Sequence, residues 1–406
     1  MEAYILEWLN LLLRWAHLIV GIAWIGSSFY FVWLDTNLNR HPRDPEDEDV
    51  AGDLWAVHGG GFYHSQKYQL APKDLPTPLH WFKWEAYTTF LTGFALLIVV
   101  YYFNANVYLI DKSVADISAT QAVGFSLFIL VLGWFVYDLL CKSKLDDQGI
   151  ALFGFVLLIA VTYGVFQLFG GRGAFTQIGT MLGTTMVANV FFVIIPGQKE
   201  MVAAKLRGEE PQAIHGIRGK QRSVHNNYIT LPVLFVMLSN HYPMLYGHTY
   251  NWVLLIVIFI VGVLIRHFFN LRNQGKFVPA LPAVAILILV LMAYAIAPDS
   301  LKVKSTDISA NISTSRAVEN VSFPKVQSVI KERCVICHSA KPNHPTAPVA
   351  PNGVMFDTAG QIKLWGRRIH ERTVVTKTMP LANLTLMSED ERALIDKWFT
   401  SGASIE

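Results

Sequence analysis

The chain has 406 residues, 52% of them hydrophobic and 16% charged, with a mean hydropathy of +0.36. Soluble globular proteins rarely combine such values, and a net charge of +3 is too small to point to nucleic acid, so most of the chain is expected to lie in a bilayer. Three cysteines, two of them in one Cys-Val-Ile-Cys-His run, exclude a disulfide framework.

A hydrocarbon core about 30 Å thick calls for about 20 apolar residues per helix. That length picks out about eight segments in chain order: Ile5 to Trp33, Trp81 to Phe103, Ala119 to Leu140, Ile150 to Phe169, Phe175 to Ile195, Tyr228 to Asn240, Trp252 to Phe269 and Val278 to Ala297. The first lacks a basic leader and a small-residue cleavage site, so it reads as a retained span. Cys141 follows the third, where a buried, inert thiol is the expectation.

Basic residues concentrate in alternate loops: Arg40, Arg43, Lys67 and Lys73; Lys142 and Lys144; Lys199, Lys205, Arg207, Arg218, Lys220 and Arg222; Arg272 and Lys276. The other loops hold little more than Lys112 and Arg172. The positive-inside rule makes the first set cytoplasmic, with the N-terminus outside and, after an even number of spans, the C-terminal region outside too.

The loop from Asp35 to Leu79 is unusual, because Trp55 to Lys67 mixes aromatics, His58, His64 and the run Gly59 to Gly61. Such glycines would let backbone approach a ligand closely, although plain surface loops share this composition. Asp44 to Asp49 reads as a solvated acidic run. Within the apolar segments, His17 lies near the middle of the first, one turn after Arg14, while His241 ends the sixth on the outer side. His80, His225 and His267 mark cytoplasmic ends, with Lys83 and Glu85 beside His80. Ionisable groups at membrane depth are costly and are functional candidates by default, but interfacial histidines also bond to backbone or snorkel. Two facing each other could ligate a b-type haem.

Pro298 to Glu319 is rich in Ser, Thr, Asn and Asp and reads as a tether. Beyond it, Cys334 and Cys337 supply two thiols for covalent haem attachment, and His338 follows directly as the axial imidazole. No second cysteine pair exists to complete a zinc site. Met379, stiffened by Pro380, is the expected second axial ligand, in competition with Met355, Met387 and His344. Phe323, Val326 and Ile330 recur at helical spacing before the motif, and Ser388 with Glu391 forms a capping box ahead of Leu394, Ile395 and Trp398, with Gly402 as the stop. Trp365 and Trp398 read as core packing. Covalent haem is attached outside the bacterial inner membrane, in agreement with the loop charges.

Taken together, Arg14 to His17 with Ile22 to Gly26, Trp55 to Lys67, Arg222 to Asn227, Ser239 to Pro243, Ile265 to Asn270 and the haem motif with Met379 resemble the bacterial membrane-bound cytochrome c urate oxidases, or urate hydroxylases. The resemblance covers the whole chain and rests on the combination. It implies oxidation of urate to 5-hydroxyisourate with water as oxygen source, no hydrogen peroxide, and electrons leaving through one haem c toward a soluble cytochrome c or a terminal oxidase. The expected fold is all-α: a bundle of about eight spans over residues 1–298, a linker at 299–320, and a periplasmic class I-like cytochrome c domain at 321–406. Topology suggests His58, His64, Lys67, His80, Lys83, His225, Asn226 and His267 for the pocket, with Lys67, Lys83 or Arg266 as partners of a purine anion. A cytoplasmic pocket would lie a bilayer away from the haem, so His17 with His241 or His267 is the expected b-haem site, unless the pocket opens outward. The alternatives are an electron-transfer subunit serving a separate dehydrogenase and, less favoured, a transporter with an attached cytochrome.

Overall fold

In the computed structural model, which describes residues 2–39, 50–297 and 321–405 except 345–346, 348–349 and 352–353, the apolar segments are helices. Arg40, Arg43, the acidic run Asp44 to Asp49 and the polar stretch 298–320 lie outside the described residues. Helix α1 (Glu2–Asn37) runs antiparallel to α2 (Trp84–Leu96): His17 meets Thr89 and Thr92, while Phe31 meets Phe82. Gly93 allows this approach, because a Cβ there would stand 2.8 Å from the His17 ring. Small residues at such contacts let membrane helices pack closely.

Helix α2 continues through a π turn (Leu97–Tyr102) to the short α3 (Ala105–Tyr108), and α4 (Ala119–Cys141) starts at a Ser118–Gln121 capping box. Helix α5 (Asp147–Phe166) is capped by Asp146. Next comes α6 (Gly171–Asn189), the most enclosed helix of the bundle, which passes through a π turn (Val190–Ile194) into α7 (Ile195–Leu206). Helices α8 (Ala213–Ser239), α9 (Pro243–Tyr246), α10 (Asn251–Asn273) and α11 (Ala280–Ala295) complete the bundle. Its core includes Phe169, Phe175, Ile178 and Leu255, each fully enclosed.

Among the described residues, six helical segments are long and apolar enough to cross a membrane: Trp8–Asn37, Trp84–Tyr102, Ala119–Cys141, Asp147–Phe166, Gly171–Leu206 and Asn251–Asn273. The two other expected segments are helical but differ in kind. Helix α11 has 16 residues, and α8 starts well before Tyr228 and carries Arg218, Lys220 and Arg222 in its first half. The protein is thus mostly helical and is a multi-pass membrane bundle.

The loop after α1 departs from the all-α expectation. It holds an antiparallel hairpin, β1 (Val50–His58) and β2 (Gly61–Tyr68), in which Trp55 faces His64 and Val57 faces Phe62. Gly59 and Gly60 have φ of 58° and 81°, the two positive values that a two-residue hairpin turn requires. A Cβ at either glycine would meet no neighbour, so it is the turn conformation that requires them here. The hairpin is fixed to the bundle by backbone bonds between Asn39 and Asp53 and by Lys67 pairing with Asp35 of α1.

Residues 321–405 form a separate helical unit: α12 (Phe323–Arg333), α13 (Ala359–His370) and α14 (Glu389–Thr400). Phe323, Val326 and Ile330 join Ile362, Ile369, Ile395 and Trp398 in one core, the Ser388–Glu391 capping box starts α14, and Gly402 follows its end at a φ of 103°. This unit touches the end of the bundle away from the hairpin. A Cβ at Gly247, just after α9, would come within 2.8 Å of the Thr376 oxygen and of Thr378.

Candidate functional site

Near the hairpin end of the bundle, a cavity of about 560 Å³ lies between α1, the loop preceding α2, the α6–α7 junction and α8. Trp24, Phe31, Trp81 and Phe82 give it aromatic walls, and Ser27, Ser28, His80, Gln198, Ser223 and Asn226 bring polar groups to it. Its size and its mix of aromatic and few polar groups suit a small planar ligand. The His80 ring stands edge-on to Phe82 at 4.7 Å.

Four consecutive residues of α8 organise the bundle behind this cavity. His225 Nδ1 lies 2.7 Å from the Tyr137 hydroxyl of α4. Asn226 donates to the Met186 carbonyl and accepts from Asn189, both of α6, at 3.0 Å. Asn227 donates to Asn270 of α10 at 3.0 Å, and the Tyr228 hydroxyl lies 2.7 Å from His267 Nδ1. Four successive side chains sweep most of the way round a helix of 3.6 residues per turn, so this run bonds three neighbouring helices at one level. One turn earlier, Arg222 donates to Asp138 at 2.7 Å, both almost wholly buried, and Lys142 pairs with the other Asp138 oxygen at 2.6 Å.

Of the pocket residues expected from sequence, His80 and Asn226 line the cavity. His225 stands next to Asn226 and is engaged with Tyr137, and Lys83 is the residue before α2. His58, His64 and Lys67 belong to the hairpin and are exposed. His64 bonds Asp53 at 2.6 Å and stacks on Trp55 at 4.3 Å. Although the residue is exposed, partial desolvation of the Lys67 ammonium, with Lys220 nearby, holds it below its ordinary value. Sequence reasoning missed Trp24, Gln198, Tyr137, Asp138 and Asn189. Asp138 and Asn189 carried a signal, since each is a polar residue inside an apolar segment.

The three histidines expected to hold a b-type haem face different partners. The Thr89 carbonyl can only accept, so His17 Nδ1 donates to it at 3.0 Å and Nε2 is left as the possible ligand. His267 turns Nδ1 to Tyr228, and His241 is exposed just beyond α8. Among the described residues no group of three or more His, Cys, Asp or Glu side chains gathers as a metal site.

In the C-terminal unit, α12 ends at Cys334, and the turn that follows carries Cys337 and His338. Burial pushes the Cys334 thiol up to about 12 and raises Cys337 as well. Burial also lowers His338, against the opposing effect of the Val354 carbonyl. His338 Nδ1 donates to that carbonyl at 3.0 Å, which fixes the ring and leaves Nε2 for a metal. Met379 is held by its backbone, donating to Arg372 O at 2.9 Å and accepting from Arg392 at 3.0 Å. Met387 is buried in the core. Two thiols, an oriented imidazole and a methionine on an anchored backbone are the donor types that a covalent haem takes.

The family model described as Urate oxidase N-terminal matches residues 3–297, which hold the whole bundle and its cavity. No curated protein and no solved structure matches the chain.

Proposed function

Because the chain belongs to the urate oxidase N-terminal family, we propose that its bundle oxidises urate and passes the electrons to a haem c carried by the C-terminal unit. The observation that carries this reading is the cavity within the family-matched region, with its aromatic walls and polar residues. Urate is a flat, anionic purine. Trp24, Phe31 and Trp81 offer it ring faces, and Ser27, Ser223 and Asn226 offer hydrogen bonds to its carbonyl and N–H edges.

The reaction consumes urate and water and yields 5-hydroxyisourate, two protons and two electrons. In this reading His80 at the cavity wall takes a proton as water adds to the purine, and Asn226, locked by Asn189 and Met186, orients the ring. A haem c, when bound, would supply one-electron acceptance, with a soluble cytochrome c or a terminal oxidase as the onward acceptor. Cys334, Cys337, His338 and Met379 would hold it, and no hydrogen peroxide forms. We place this unit in the periplasm of a bacterial inner membrane, on the basis of the loop charges. His17, with Nε2 uncommitted, is the proposed ligand of an intramembrane haem relay, whereas His267, beside Arg266 at the level of Phe29, and the exposed His241 stand apart from it.

The test is anaerobic addition of urate to the purified full chain while haem absorbance is followed. Reduction of the haem by urate alone is expected. No change in the spectrum would sink the oxidase reading and leave an electron-transfer subunit. A pyridine haemochrome spectrum containing only c-type haem would remove the relay.

A further inference from the structure

Gln198 stands in the first turn of α7 and lines the cavity together with Ile194, Met201 and Val202. Spacings of four, seven and eight residues from Ile194 put these side chains on one helical face, so a single stripe of the helix meets the cavity and Gln198 is its polar member. The residue is exposed, and among the described residues its carboxamide has no hydrogen-bond partner. The other polar groups at the cavity are differently equipped. Asn226 spends its Oδ1 on Asn189 and one N–H on the Met186 carbonyl, and the Ser27 hydroxyl donates to the Trp24 carbonyl at 3.0 Å. The two nitrogens of the His80 imidazole point away from each other, and a serine hydroxyl is a single centre. Among the described lining residues, Gln198 is therefore the one that still presents a donor and an acceptor side by side in one plane.

No lysine or arginine is among the described residues that line the cavity. Selection of a ligand there falls to ring faces along its plane and to hydrogen bonds at its edges. A ring lactam, with an N–H and a C=O on adjacent atoms, is the complement of a carboxamide: the N–H donates to Oε1 and the C=O accepts from Nε2. We propose that Gln198 is the specificity-determining residue of the cavity and pairs in this two-point manner with a lactam edge of a planar heterocycle. On the oxidase reading, on which the choice of ligand rests, that heterocycle is urate, whose rim sets N–H groups next to C=O groups. A heteroaromatic amine or a carboxylate of like size lacks one of the two groups and leaves half of the carboxamide unmet. An unmet polar group is what makes such a site selective.

The test uses the full-length protein in lipid nanodiscs, with urate and each of its monomethyl derivatives as probes. Two readings are taken: the KM for haem reduction, and the shift of the unfolding midpoint that excess ligand causes in the absence of air and of any other acceptor. A methyl group on the nitrogen that Gln198 meets removes the N–H, so one derivative should bind the wild-type protein at least about tenfold more weakly than urate. Gln198→Ala should raise the KM for urate about tenfold and leave that for the same derivative within about twofold of wild type. Discrimination then collapses at one methyl position and persists at the others, a result that mere loosening of α7 would not give. Gln198→Glu keeps the size and the acceptor, removes the donor and sets a negative charge beside an anion, so it should raise the KM for urate further than alanine does. An unchanged KM in Gln198→Ala, or an equal loss for every probe, would overturn the assignment. If urate shifts the wild-type midpoint without reducing haem, the oxidase reading falls while the methyl series, followed by midpoint shift, still decides Gln198. If urate does neither, both fall.

Discussion

Asp138 and Arg222 meet at 2.7 Å with almost no exposure, in a membrane helix bundle where neither charge has water to fall back on. Removing one partner of such a pair costs about 3–5 kcal/mol, because the other is left uncompensated, whereas replacing both by apolar residues of like size is close to neutral. Asp138→Leu, which strands Arg222, should therefore lower unfolding stability in detergent by that amount, Arg222→Met, which leaves Asp138 its Lys142, should cost less, and the double variant should recover most of the larger loss. Glu391 makes a pH-dependent case in the C-terminal unit. Burial raises its carboxyl, but the Arg333 guanidinium and the Ser388 N–H outweigh this and hold it below the usual carboxylate range. A depressed carboxyl contributes stability above its unfolded value of about 4.3, and that contribution is lost as pH falls through the lower folded value. Acid unfolding followed by tryptophan fluorescence should show this loss, and Glu391→Gln should remove it.

The elements differ in how far local sequence determines them. Ser388 and Glu391 announce α14 by spacing alone, and the capping box is present. Ser388→Ala should cost about 1 kcal/mol in chemical unfolding of the C-terminal unit. Apolar runs likewise mark the helices, since a span must satisfy its own backbone. Trp55 to Lys67 was harder to read, because the cross-strand partners Trp55 and His64, or Val57 and Phe62, cannot be matched until the turn at Gly59 and Gly60 is fixed. The same limit applies to the site. His80 and Asn226 stood out as polar residues at helix ends, whereas Tyr137 and Asn189 matter because α4 and α6 face α8, which periodicity does not reveal. Gly93 is another such contact. Gly93→Val should push the His17 ring away, loosen α1 from α2 and cost about 1–3 kcal/mol in thermal unfolding.

At the scale of the whole molecule, bundle and C-terminal unit have separate cores. Replacing Cys334 and Cys337 by Ala should therefore abolish covalent haem staining on denaturing gels while leaving the urate-induced thermal shift of the bundle. Within the bundle, α6 runs as a polar spine. Arg172 and Thr176 lie at the end facing the C-terminal unit, Gln177 bonds Ser126 further along, and Asn189 reaches the cavity wall through Asn226.

Gly247 packs directly on the strand of backbone at Thr376 and Thr378, immediately before Met379. A carrier already seated on its donor needs no diffusional encounter. On the proposed reading, haem reduction after urate binding should be first order, with a rate constant unchanged by dilution of the protein, and only the onward step to a separate acceptor should slow as that acceptor is diluted.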